Sequence, residues 1–193
     1  MLGVDMSNVT AAGGNWPGAG GYVIRIQKAT VRPQKQDLEI EFDIIEGDYA
    51  KVYLDFYSRK KYWPGFGKLY KSYKEKAMPF LKSWIELIME CNANAEGLLI
   101  ETEDGKLDVD ETKLTGKMIG IVYGMEEYIS NDGQVKTRPD YFGATFVSPE
   151  KIRTGEYNVP DLKKLDNGPA VGGVVDTTAG GFGPIRDDDL PFC

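Results

Sequence analysis

Residues 57–76 are where the chain concentrates chemistry. They carry seven bases, Arg59, Lys60, Lys61, Lys68, Lys71, Lys74 and Lys76, against the single acid Glu75. Six aromatics, Tyr57, Tyr62, Trp63, Phe66, Tyr70 and Tyr73, are interleaved with them. Cations neutralise phosphates and release counter-ions, which gives affinity for a polyanion without sequence preference. Aromatic faces stack on unpaired bases, worth roughly 1–3 kcal/mol per base. A duplex hides those base faces, so the mixture points to a single strand. The plainer alternative is a basic surface whose aromatics face a core, with Tyr70 and Tyr73 as the first suspects. Tyr53 just upstream, and Lys136, Arg138 and Tyr141 further on, extend the candidate path.

A second chemical feature ends the chain. A glycine-rich stretch leads to Asp187, Asp188 and Asp189, then Leu190, Pro191 and Phe192, with Cys193 last. Three carboxylates beside apolar anchors suit a basic rim around an apolar pocket on another protein. A protein-interaction adaptor acting through this tip, with no affinity for DNA, is the competing function.

Other chemistries find little support. The chain has no histidine, so Ser-His-Asp and Cys-His centres and the H-E-x-x-H zinc helix are excluded. Its two cysteines, Cys91 and Cys193, form no zinc module and no disulfide framework. The acids around Asp104 and Asp110 are wrongly spaced for an EF-hand, and no glycine-rich loop carries a phosphate-binding Gly-Lys-Ser/Thr. A metal-dependent nuclease would need a carboxylate set with ligand spacing, and none is recognisable. The expectation is a protein that is not an enzyme and needs no cofactor or metal. No membrane segment is visible, and a cytoplasmic location is the default. The oligomeric state stays open, a homo-oligomer included.

The net charge of −7 over 193 residues argues at first against nucleic acid. The basic stretch shows that the total averages two opposite parts.

The elements that must position these residues read mainly as strands. Residues 1–21 form a Gly- and Ala-rich arm with Trp16 as its candidate anchor, 22–165 the globular body, and 166–193 a disordered tail. Tyr22 to Val31 reads as one strand. Asp37 to Glu46 alternates strictly, with Leu38, Ile40, Phe42 and Ile44 inward and Asp37, Glu39, Glu41 and Asp43 outward. A third strand follows over 51–57, with Val52, Leu54 and Phe56 inward and Tyr53 and Tyr57 outward. A long helix starts at Pro79, its apolar stripe made by Phe80, Leu81, Trp84, Ile85, Leu87, Ile88 and Cys91. Strands from Lys117 to Tyr128 and from Val135 to Val147, broken near Pro139, flank an Asn131-Asp132-Gly133 turn. The predicted fold is mainly β with one long helix: a five-stranded β-barrel of the OB-fold type, in the order βββαββ. Other small Greek-key barrels share this pattern. The acidic outer row on the second strand conflicts with a phosphate path across it.

Three segments carry a resemblance: Gly21-Tyr22-Val23-Ile24-Arg25-Ile26, Leu38-Glu39-Ile40-Glu41-Phe42-Asp43-Ile44, and the run from Leu114 to Tyr128. With them the body resembles phage-encoded single-stranded DNA-binding proteins of the OB-fold type. The ending Asp187 to Phe192 resembles the acidic tip of bacterial single-stranded DNA-binding proteins. The resemblance implies a non-catalytic protein that coats single strands in phage DNA replication, recombination and repair, in the cytoplasm of a host. It also implies that the tip recruits replication or recombination proteins. Such tips end on the phenylalanine, whereas here Cys193 follows.

Overall fold

The computed structural model describes residues 16–101 and 107–165. The tail 166–193, with the tip at Asp187 to Phe192, and residues 1–15 of the arm lie outside the described residues.

Strand β1 (Gly20–Arg32) and β2 (Asp37–Ile44) form an antiparallel pair. The predicted alternation holds on β2, where Leu38, Ile40, Phe42 and Ile44 are all buried. Each such side chain contributes about 1.5–3 kcal/mol on leaving water, so truncating Ile40 would open the centre of the core. The ladder slips between Ile26 and Lys28, a bulge that adds twist.

The predicted third strand is a helix instead: α1 spans Val52–Lys60. Tyr53 and Phe56, one turn apart, are its buried residues, while Leu54 is 39% exposed. A spacing of three therefore overrides the two-residue pattern of Val52, Leu54 and Phe56. Arg59 and Lys60 in the last turn complement the negative end of the helix. The strand that pairs with β2 comes later, as β3 (Lys68–Ser72), inside the basic stretch.

The long helix α2 (Met78–Cys91) has Pro79 in its first turn. Leu81, Trp84, Ile85 and Ile88 form its buried face, but Phe80 points to solvent and Cys91 is only half-buried. Asn92 ends it by tying Ile88 O (2.7 Å) to Met118 O (2.8 Å) and accepting from Met118 N (2.9 Å). A small hairpin of β4 (Leu99–Glu101) and β5 (Leu107–Val109) follows. The second long hairpin is β6 (Met118–Ile129) and β7 (Val135–Val147), and a short helix α3 (Pro149–Thr154) packs on β1 and β6. Lys163 then bridges in parallel to Glu126, beyond the point where β1 stops pairing with β6.

The main sheet is five-stranded and antiparallel throughout, in the order β3-β2-β1-β6-β7. Its strands and α2 still follow one another as three strands, helix, two strands. The sheet does not close into the predicted barrel: among the described residues no ladder joins the edge strands β3 and β7. They face each other across a cleft of about 260 Å³, bordered by Leu69, Tyr70 and Lys71 on one side and Tyr141, Phe142 and Phe146 on the other. The break predicted near Pro139 lies just after it. Gly124 pairs with Asp140 and Val122 with Thr145, so Tyr141 to Ala144 bulge against the single residue Tyr123. Among the described residues no helix is long and apolar enough to cross a membrane.

Candidate nucleic-acid interface

The acidic row on β2 turns out to be spent on the protein itself. Arg32 grips Asp37 through two bonds of 2.7 Å and reaches Glu39 at 2.8 Å. Lys68 lies across the ladder, 2.9 Å from Glu39 and 3.1 Å from Glu41. The guanidinium of Arg32 also sits 4.4 Å above the ring of Tyr70. Its hydrogen bonds hold the Asp37 carboxyl below the usual carboxylate range. Burial works against the charge on Lys68, but Glu39 and Glu41 together push its pKa up. Asp43, expected on the same outer face, is instead buried and accepts from Tyr53 N at 3.0 Å, capping the first turn of α1. Burial pushes its carboxyl up.

The far end of α1 is different. Arg59, Lys60 and Lys61 are exposed and enter no ion pair among the described residues. Among the described residues Arg59 bonds only to Asp55 O, at 3.3 Å. Lys61 ends the helix in the left-handed conformation (φ 65) and donates its N–H to Tyr57 O. Tyr57 and Tyr62, 43% and 40% exposed, stand beside these cations. Lys74, two residues past β3, is also exposed and outside any ion pair among the described residues.

Several predicted stacking residues belong to the core. Tyr53 is fully buried, stacking 6.2 Å from Trp16 and edge-on to Phe42, so it presents no face to a ligand. Trp63 donates Nε1–H to Gly67 O at 2.7 Å. A Cβ on Gly67 would come within 2.7 Å of that nitrogen, so the turn before β3 needs glycine. Phe66 packs edge-on to Trp16 at 4.2 Å and against Tyr141 at 5.3 Å. Tyr141 donates its hydroxyl to Pro17 O at 2.9 Å, and burial pushes that phenol up to about 12. Trp16 is thus fixed to α1 and the turn before β3. Tyr73 is half-buried beside Val31, Leu38 and Met78, away from the cleft.

The cleft between β3 and β7 gathers the remainder. Tyr70 is 40% exposed, and Phe142, lifted by the bulge, is 69% exposed. Asp140 fixes that bulge by accepting from Gly143 N at 2.7 Å. Lys71 lies inside, its Nζ 3.9 Å from the centre of Phe146 and 5.3 Å from that of Trp84. On the outer hairpin, Arg138 is held by Glu126 at 2.8 Å and covers Tyr128 at 4.8 Å, while Lys136 pairs with Asp132 at 3.0 Å.

Of the predicted residues, then, the structure brings Tyr70, Lys71 and Tyr141 together at the cleft and groups Tyr57 to Tyr62 at the end of α1. It assigns Lys68 and Arg138 to ion pairs. Sequence reasoning missed Phe142, Phe146 and Arg32. The Phe142-Gly143 pair inside a strand was the available signal for a bulge.

Among the described residues no group of three or more acidic or cysteine side chains is placed to hold a metal ion. The chain matches no protein-family model and no curated protein sequence.

Proposed function

We propose that this protein binds single-stranded DNA without sequence preference, over a surface running from the end of α1 to the cleft between β3 and β7. The observation that carries the reading is the group of cations Arg59, Lys60 and Lys61, which enter no ion pair among the described residues, flanked by the half-exposed Tyr57 and Tyr62. Cation and ring are what backbone and base of a single strand require. Tyr70 and Phe142 at the cleft mouth supply further faces. Arg32 and Lys68 pair with the β2 carboxylates Asp37, Glu39 and Glu41 and offset most of their repulsion of a phosphate path.

The sheet fits an OB-fold left open at one seam, with α2 entering between the third and fourth sheet strands. On this reading the protein is not an enzyme. It protects and organises single strands during phage DNA replication and recombination in the host cytoplasm, and Asp187 to Phe192 recruit partner proteins.

Fluorescence anisotropy of a labelled oligo-dT at several salt concentrations tests this. Binding should weaken linearly on a log–log plot, with a slope of about −0.7 per phosphate contacted. No binding at low salt, by the full chain and by a chain ending at Arg186, would overturn it.

A further inference from the structure

Lys71 differs from every other base in the stretch. It lies opposite Leu38 in the ladder, two residues on from Leu69, and so shares the inner face of the sheet. Its ammonium rests over Phe146 and Trp84. No carboxylate pairs with it among the described residues. Beneath it a second donor, Nε1 of Trp84, is buried without an acceptor among the described residues. Two neighbouring donors lacking an acceptor are costly to bury, and Lys71 borders the cleft, where a ligand can reach it.

We infer that the cleft between β3 and β7 is an anion site: a phosphate of the bound strand enters it and becomes the counter-ion that Lys71 lacks. The inference rests on the proposed single-strand function. It adds that one contact lies inside the sheet rather than on its rim.

A consequence separates this contact from all rim contacts. Burial lowers the pKa of Lys71 to about 8. The other titratable groups facing the cleft are the phenols of Tyr70 and Tyr141. Burial pushes both up, Tyr141 to about 12, so both stay neutral around pH 8. α2 contributes only the uncharged indole of Trp84. A phosphate beside Nζ restores the ammonium, so above pH 8 the strand binds together with a proton. An ordinary lysine side chain, with a reference pKa of about 10.4, adds no such dependence below pH 9.5.

The experiment is oligo-dT affinity at fixed salt from pH 7 to 9.5, for the full chain and for Lys71→Arg and Lys71→Met. The wild-type chain should lose roughly ten- to thirtyfold over that range. Lys71→Arg, charged throughout, should bind at pH 7 and show a flat profile. Lys71→Met should be flat and weaker at every pH. Proton uptake, read from binding heats in two buffers of different ionisation enthalpy, checks the wild-type chain with no variant at all. A wild-type chain that binds at pH 7 with a flat profile and no proton uptake overturns the Lys71 inference and leaves the single-strand reading standing. A Lys71→Arg profile as steep as wild type overturns it too. A wild-type chain that binds at no pH overturns the proposed function itself.

Discussion

The carboxyl end of α1 and the outer face of β2 and β3 are built from the same side chains and lie close in sequence. On the sheet face, Lys68 and Arg32 are committed to Asp37, Glu39 and Glu41. At the helix end, Arg59, Lys60 and Lys61 face water without ion-pair partners among the described residues. A count of bases therefore overstates what a ligand can use. Cations committed to the protein's own carboxylates support the fold, and uncommitted ones remain for a polyanion.

Charge reversal tests that division most severely. Lys60→Glu with Lys61→Glu should weaken oligo-dT binding roughly a hundredfold at low salt and reduce the salt slope by about 1.4, the share of two phosphate contacts. Stability should fall by no more than ~1–2 kcal/mol, from two acids placed at the wrong end of a helix. If Lys68→Glu weakens binding more than this double variant does, the comparison is wrong.

Lys71 sharpens it with an effect of opposite sign on stability. Its pKa of about 8 lies below the unfolded value, so burying the charge costs stability throughout the range below pH 8. That cost is relieved as pH rises from 8 toward about 10.4. Lys71→Met should therefore stabilise the protein by ~1–3 kcal/mol at pH 7, and the gain should vanish near pH 10. Urea denaturation at both pH values measures it, and a variant less stable than wild type at pH 7 would refute it.

The smallest effect belongs to the sheet face. Arg32→Met should cost about 1 kcal/mol at pH 7, because its ion pairs are partly open to solvent. The folded pKa of Asp37 is lowered, so this stabilisation is present above about pH 4 and is lost as pH falls through the depressed value. The gap between variant and wild type should close in acid, while oligo-dT affinity at pH 7, with Asp37 left uncovered, should fall far less than in the Lys60→Glu, Lys61→Glu double variant.

What could be read from the sequence follows from how local each feature is. Strand β2 was legible because eight residues alternate without exception and one face is fully buried. Helix α1 was not, because in nine residues Val52, Leu54 and Phe56 fit a strand as well as Tyr53 and Phe56 fit a helix. Packing on β2 and Trp16 decides between them. The pairing of the carboxylates was hidden for another reason: Lys68 meets Glu39 from 29 positions away, across a ladder whose register a single sequence does not reveal. The bulge at Tyr141 to Ala144 exists only relative to β6. The basic and aromatic composition was visible, but which rings face outward was not, and Tyr53, Trp63 and Phe66 went to the interior.

The placement of Trp84 makes the cleft optically readable. Its indole is buried, and a single ammonium stands 5.3 Å over the ring. An indole's emission shifts with the electric field across its rings, so gain or loss of that one charge should move its spectrum. Trp16 and Trp63 lie with the aromatics of α1 and the turn before β3 instead. With those two replaced by phenylalanine, the remaining emission would report the charge state of Lys71, with no label on protein or DNA.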